Sequence, residues 1–180
     1  MAPTNLNLLY GTTFRLSFTK LPLTTFFCQG TAIPAVSMSP LEIKTPLNPV
    51  QLPSTVMTFG TLSVKILADE FLDGYNELFQ WMQDLSAVES TDQYVAFLHT
   101  EQALYGGKSA ADLNYSSALL EILNQNQNVI RRIRIFGAFP IGLGEIAMSV
   151  DAGDVPIRFE AQFGYTEFEI EPRQEDVLQT

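Results

Sequence analysis

The sequence contains few of the residues on which most enzyme chemistry depends. Its 180 residues include one cysteine, Cys28, and one histidine, His99. A single cysteine excludes an internal disulfide, a zinc knuckle and a CxxC redox pair, and any Ser/His/Asp or Cys/His mechanism would depend on that one imidazole. Because Cys28 lies in an apolar stretch and His99 in a polar one, we interpret them as a small buried side chain and a surface imidazole.

Basic residues and long apolar runs are also scarce. Ten lysines and arginines stand against twenty aspartates and glutamates, which gives a formal net charge of −10. This balance disfavours binding to nucleic-acid phosphates or to an anionic membrane surface. No stretch approaches the roughly 18 apolar residues of a spanning helix, and residues 1–10 lack the pattern of a secretory signal. We therefore expect a soluble protein made in a reducing cytoplasm, with no membrane contact.

The apolar content is sufficient for one core. Hydrophobic residues make up 46% of the chain, and no internal repeat or linker divides it, so residues 1–180 are interpreted as one domain. It carries an N-terminal arm at 1–11, a proline-rich extended arm at 36–56 and an acidic tail at 172–180. Residues 1–60 carry only four charges, which indicates a surface that contacts other protein.

Alternation of apolar and polar residues predicts most of the strands. Such strands are expected at Phe14–Phe18, Leu62–Ile66, Tyr115–Leu123, Val129–Phe139 and Val155–Ile170. A polar tract at Asn124–Asn128 joins the third and fourth as a hairpin, and Gly164 marks a bend in the last. The β-branched and aromatic stretch Thr25–Ile33 predicts a further strand.

Helical periodicity follows the central strand. Asp69 or Asp73 is expected to cap an amphipathic helix that reaches about Leu85. Its spacing assigns five residues to a core or interface face: Tyr75, Leu78, Phe79, Trp81 and Met82. A Ser90-x-x-Gln93 pattern predicts a short second helix that ends at Gly106-Gly107. The order strands, helix, strands predicts an α+β fold that is mainly β and antiparallel.

No chemical motif is complete. The glycines of Gly137–Gly144 are not followed by a helix, so this segment is interpreted as a strand end and turn. Asp151 and Asp154 lack the spaced oxygen ligands of a calcium loop. We therefore predict no catalytic residue, no metal site and no cofactor.

Four segments stand in a distinctive order: LPLTTFFCQGTAIPAV at 21–36, MTFGTLSVKILADEFLDGYNELFQWM at 57–82, IRRIRIFGAFPIGLGEI at 130–146 and FEAQFGYTEFEI at 159–170. In this order they resemble the tail tube proteins of contractile-tailed bacteriophages, including the tube-initiator subunits of their baseplates. The resemblance covers about residues 12–171. The acidic extension beyond Glu171 and the leucine-rich start depart from the family pattern.

The resemblance implies a small β-sandwich or barrel-like subunit with one flanking helix. Six copies would form a ring, and rings would stack into the inner tube of a virion tail assembled in the host cytoplasm. Partners would be further copies, the sheath, and baseplate hub or tail-terminator proteins, with double-stranded DNA passing through unbound. Three alternatives remain open: a ring that initiates or terminates the tube, a tube ring of a type VI secretion or other contractile injection system, and a monomeric β-rich binding domain.

Two surfaces are predicted on this basis. An acidic lumen that repels DNA would be lined by residues among Asp112, Glu121, Glu160, Glu167 and Glu169. The proline-rich arm would contact a neighbouring subunit through Leu41, Ile43, Leu47, Val50 and Leu52.

Overall fold

The structure is a computed structural model, and it describes residues 13–44, 48–86, 114–149 and 156–172. Its elements in chain order are β1 (Phe14–Phe18), α1 (Pro22–Phe27), β2 (Cys28–Thr31), β3 (Val36–Met38), β4 (Leu41–Ile43), β5 (Val50–Leu52), β6 (Met57–Phe59), β7 (Leu62–Leu67), α2 (Asp73–Ser86), β8 (Ser116–Leu123), β9 (Val129–Leu143), β10 (Arg158–Gly164) and β11 (Glu167–Ile170). The mainly β, antiparallel fold predicted from the sequence is confirmed. The predicted second helix, the N-terminal arm, Leu47, Asp112 and the tail after Pro172 lie outside the described residues.

The main sheet has two parts that share one long strand. Its order is β1-β8-β9-β10-β7-β2, and β11 pairs with β9 on the same edge as β10. The strand β9 is 15 residues long. Its first part pairs with β8 and β11, and its last part pairs with β10. We call β1, β8, β9 and β11 sheet A, and β9, β10, β7 and β2 sheet B.

A bulge at Gly137 separates the two parts of β9. Gly137 has a φ of +64°, and the register against β8 shifts between Ser116 and Ala118. Odd-numbered residues such as Ile133 and Ile135 therefore face inward before the bulge, and the even-numbered Ala138 faces inward after it. Such a bulge bends a strand and increases its twist, which carries β9 from one sheet into the other. The expectation that Gly137–Gly144 is a strand end and turn was wrong, because the glycine bends the strand without ending it.

The inward faces of both sheets form one core. The rings of Phe18 in sheet A and Phe163 in sheet B lie 4.7 Å apart between centroids. The two sheets therefore pack face to face, and their outward faces point to opposite sides of the subunit. The core is built from large apolar side chains of both sheets and α2, among them Leu16, Leu62, Val64, Ile66, Leu78, Leu120, Ile133, Ile135 and Phe159.

Helix α2 begins at the predicted cap. Both carboxylate oxygens of Asp69 accept hydrogen bonds, from the backbone N–H of Asp73 at 2.9 Å and of Gly74 at 3.2 Å. These bonds satisfy donors that the first helical turn leaves free and hold the pKa of Asp69 below its usual range. Within the described residues, neither helix is long and apolar enough to cross a membrane.

Helix α2 buries a narrower face than the spacing of its apolar residues predicts. Leu78 and Trp81 are buried, and Tyr75 and Met82 are partly buried. The Tyr75 ring packs edge-on against Phe159 with centroids 5.3 Å apart. Phe79 is 45% exposed, so its assignment to the subunit core was wrong. It follows Leu78 by one residue, which rotates it about 100° around the helix and away from the core.

The segment predicted as a strand at Thr25–Ile33 divides into a helical turn and a shorter strand. Pro22 begins α1, where its fixed φ and missing N–H are tolerated. The Thr25 hydroxyl donates to Leu21 O at 3.0 Å and accepts from the Phe18 N–H at 3.0 Å. These bonds tie α1 to β1, and only Cys28–Thr31 pairs with β7.

Candidate assembly surfaces

The proline-rich arm folds back on itself as a two-part antiparallel hairpin. Strand β3 pairs with β6, and β4 pairs with β5. In the outer part Leu41 stands opposite Leu52, and Ile43 stands opposite Val50. Because side chains alternate across a strand, these four residues share one face, and Glu42 and Gln51 share the other. All four apolar residues are between 40% and 59% exposed, which leaves an apolar face uncovered in the subunit.

The outward face of sheet A carries a charge network. Glu121 on β8 lies between Arg15 on β1 and Arg132 on β9. Arg132 Nε donates to Glu121 Oε1 at 3.1 Å, and Arg15 Nη1 lies 3.6 Å from Glu121 Oε2. The Glu121 side chain is only 11% exposed. A carboxylate this buried is stabilised because both of its oxygens face a guanidinium.

A second group ties the end of β11 to β9. Arg134 pairs with the Glu171 carboxylate, and Arg131 donates to the Glu171 backbone carbonyl at 2.9 Å. Glu167 and Glu169 lie on the same outward face, opposite Phe136 and Arg134 in the register. Both are exposed, and neither joins an ion pair with any residue that the structure describes.

Glu160 lies on the other side of the subunit. It is on the outward face of β10 in sheet B, where it stands opposite Lys65 of β7. The predicted lumen acids therefore divide: Glu121, Glu167 and Glu169 share the outward face of sheet A, and Glu160 does not.

Sheet A has two unpaired edges among the described residues. In its order β1-β8-β9-β11, β1 is paired only with β8 and β11 only with β9. Successive strands run antiparallel, so β1 and β11 run in opposite directions. Exposed strand edges offer hydrogen-bonding groups to another chain.

The groove between α1 and α2 is polar, with a volume of about 430 Å³. Lys20 lies over the Trp81 ring, 5.8 Å from its centroid. Burial raises the pKa of Glu77, which lines the groove, and a hydrogen bond from the Thr24 backbone offsets part of that effect. Among the described residues, no group of three or more His, Cys, Asp or Glu side chains is placed to hold a metal ion.

The sequence matches a family model described as phage tail tube protein over residues 10–171. The chain belongs to the phage tail tube protein family. A tail tube protein is a structural component of the tail, not an enzyme. A comparison with curated proteins found no match.

Solved structures share the fold of this tail tube protein at low identity. A chain of the sheath-tube complex of an extracellular contractile injection system, PVC, is 12% identical with a TM-score of 0.60, and covers 92% of this chain and 93% of its own. The tube-terminating cap of the anti-feeding prophage is 8% identical with a TM-score of 0.61, covering 95% of each chain. The PVC sheath/tube terminator is 12% identical with a TM-score of 0.58, covering 96% and 99%.

Sequence reasoning missed the arginines of this tail tube protein. Arg15, Arg132 and Arg134 alternate with apolar residues on β1 and β9, which places them on the same face as the acids. The concentration of Arg131, Arg132 and Arg134 within one strand was visible in the sequence. Their partners were not, because the pairing of β8 with β9 and the return of β11 onto β9 are set by tertiary structure.

Proposed function

We propose that this protein forms closed six-membered rings that stack into the inner tube of a contractile phage tail, through which the genome is ejected. Membership of the tail tube family supports the tube role. The observation that carries the ring is the pair of free, oppositely directed edges of sheet A. The number six comes from the family resemblance.

Sheet A is the part of the subunit suited to join its neighbours. When β11 of one copy meets β1 of the next, the two strands are antiparallel, as are all other neighbours in the sheet. Repeating this head-to-tail contact around a closed ring covers every edge of sheet A and makes one continuous barrel.

The lumen wall in this arrangement is the outward face of sheet A. Of the predicted lumen residues, Glu121, Glu167 and Glu169 belong to it, and Glu160 is excluded because it lies on sheet B. Arg15 and Arg132 both face Glu121, and Arg134 pairs with Glu171. Glu167 and Glu169 join no ion pair within the described part of the subunit, so this face carries four carboxylates, with Glu121 and Glu171, against three guanidiniums. A wall without free arginines lets DNA phosphates pass without binding.

The hairpin arm is the proposed contact with a further subunit. A two-stranded hairpin is marginal in water by itself. Its apolar face of Leu41, Ile43, Val50 and Leu52 is exposed in the subunit, and covering it would remove that apolar surface from water. Leu47 remains a predicted member of this contact.

A ring that initiates or terminates the tube is the second candidate. The similarity to a tube-terminating cap, with a TM-score of 0.61, supports it as well as the similarity to a sheath-tube complex at 0.60 supports a tube body. The two roles differ in whether the ring stacks on itself.

Light scattering and negative-stain microscopy of the purified wild-type chain test both. Open tubes of stacked rings support a tube body, and single rings that stack only with a partner subunit support an initiator or terminator. A monomer at every concentration would contradict the ring.

A further inference from the structure

We infer that Arg15 of one subunit pairs with Glu169 of the next across the ring seam, and that this pair fixes the register of the two strands. The inference rests on the proposed function, because it takes the neighbour at the edge of sheet A to be a second copy. Backbone groups that remain free at each edge, and the charges beside them, support this pairing.

The free groups of β1 lie at Phe14 and Leu16. Thr19 N–H donates to Ser117 O and Leu123 N–H donates to Thr13 O, so the odd-numbered residues of β1 bond to β8. Hydrogen-bonded and non-bonded pairs alternate along an antiparallel ladder, so the even-numbered residues direct their N–H and C=O groups away from β8. The Phe18 N–H already donates to the Thr25 hydroxyl.

The free groups of β11 lie at Phe168 and Ile170. Glu171 N–H donates to Arg132 O, so Glu167, Glu169 and Glu171 make the hydrogen-bonded pairs with β9. Phe168 and Ile170, which lie between them, direct their N–H and C=O groups away from β9. The N–H groups that flank this pair are not available. Thr166 N–H already donates to Phe136 O, and Pro172 has no N–H.

Among the described residues, one antiparallel register joins all four free positions. It sets Phe14 opposite Ile170 and Leu16 opposite Phe168. A shift of two residues in either direction would pair one free position with Thr166 or Pro172. In the favoured register Arg15 stands directly opposite Glu169 as a non-hydrogen-bonded pair, the type in which side chains lie closest.

The side chains on both faces of this seam are complementary. On the outward face, the Arg15 side chain is 63% exposed and touches Glu121 on one side only. Glu169 joins no ion pair with any described residue. Glu167, two residues earlier on the same face of β11, would lie diagonally across the seam from Arg15. On the inward face, Ile170 is 53% exposed, and Phe14 of the next copy would cover it.

A charge exchange between two variants tests this pairing. Arg15→Glu places like charges at every seam of a uniform ring, and so does Glu169→Arg. In a mixture of the two, strict alternation restores opposite charges at every seam. Arg158→Glu and Glu160→Arg are matched controls, because they make the same charge changes on β10 in sheet B, away from the seam.

We expect each seam variant alone to need about tenfold or more of the wild-type concentration for half-assembly. The equimolar mixture is expected to assemble at the wild-type concentration into rings that contain both chains equally, as measured by native mass spectrometry. High salt should bring the half-assembly concentration of each single variant closer to that of the wild type, because charges at a solvated seam are screened. The two controls should assemble as the wild type does.

Two results would overturn the pairing: seam variants that assemble at the wild-type concentration, or a mixture of folded variants that fails to assemble. Circular dichroism of each variant establishes that it is folded, which matters because Arg15→Glu also faces Glu121. If the wild-type chain forms no ring, the proposed function fails and the pairing fails with it. If the wild type forms rings and the charge exchange has no effect, only the pairing fails.

Discussion

Glu121 and Arg132 form an ion pair across β8 and β9, with Arg132 Nε 3.1 Å from Glu121 Oε1. The Glu121 carboxylate is largely buried and also faces Arg15. We expect Glu121→Gln to lower the free energy of unfolding by about 1–2 kcal/mol, because two guanidinium groups lose a charged acceptor and one of them is mostly exposed. Denaturant titration measures the change. The exposed Glu145→Gln serves as control and should stay within about 0.5 kcal/mol of the wild type; an equal effect of both would contradict the role of the pair.

Gly137 bends β9 in a conformation that other residues rarely adopt. Its φ is +64°, and a Cβ at this position would overlap the Thr166 hydroxyl. We expect Gly137→Ala to destabilise the subunit by about 1–3 kcal/mol. Adding Thr166→Ala should recover part of the loss, since it removes the overlapping hydroxyl and leaves the backbone strain. A double-mutant cycle measures the coupling, and purely additive effects would argue against the overlap.

Neighbouring residues of α2 provide a matched test of its buried face. Leu78 is fully buried, and Phe79 is 45% exposed. We expect Leu78→Ala to cost about 2–4 kcal/mol of unfolding free energy, because the cavity lies in the common core. Phe79→Ala should change it by less than about 1 kcal/mol. Thermal or denaturant unfolding distinguishes them, and a larger loss for Phe79→Ala would contradict the orientation of the helix.

Local patterns in the sequence predicted the elements whose pairing is also local. The hairpin of β8 and β9 and the cap at Asp69 could both be predicted, because the residues that determine each of them lie close together in the sequence. The helical turn at Pro22–Phe27 was not, since it depends on the Thr25 hydroxyl reaching back to Phe18. The bulge at Gly137 was also missed, because strand alternation continues on either side of it with the opposite parity.

The candidate surfaces were predictable to different degrees for the same reason. The proline-rich, apolar composition of the arm predicted Leu41, Ile43, Val50 and Leu52 as contacts with a neighbouring subunit. All four are exposed and share one face of the hairpin, and their contact with a neighbour stays a prediction. The acids were identifiable, but which of them share a face depends on sheet topology. Glu160 and Glu169 are nine residues apart in the sequence, and the passage from β10 to β11 along β9 places them on opposite sides of the subunit.

Glu77 provides a pH-dependent test of the groove between α1 and α2. Burial raises the pKa of this carboxyl, so the folded state favours its neutral form. Ionised Glu77 therefore lowers the stability of the folded state at neutral pH. This loss of stability disappears as the pH falls through the raised pKa and the carboxyl becomes protonated. We expect Glu77→Gln to be more stable than the wild type at pH 7, with a difference that vanishes near pH 4. Melting temperatures across this range measure it; a difference that grows toward acid would contradict the sign.

The hairpin arm gives the sharpest separation between folding and assembly. Ile43 and Gln51 lie in the same two-stranded part of the arm, with their side chains on opposite faces. Ile43→Asp places a charge in the apolar face and should raise the concentration for assembly at least about tenfold, because a partner would have to bury that charge. Gln51→Asp adds the same charge to the polar face and should assemble as the wild type does.

Both arm variants are expected to keep the far-ultraviolet circular dichroism and melting temperature of the wild type, since none of the arm residues that the structure describes belongs to the common core. Light scattering measures the assembly of each. If Ile43→Asp instead unfolds the subunit, the arm packs on its own domain, and the apolar face is not the contact between subunits. If both variants assemble equally well, the contact uses a different face of the arm.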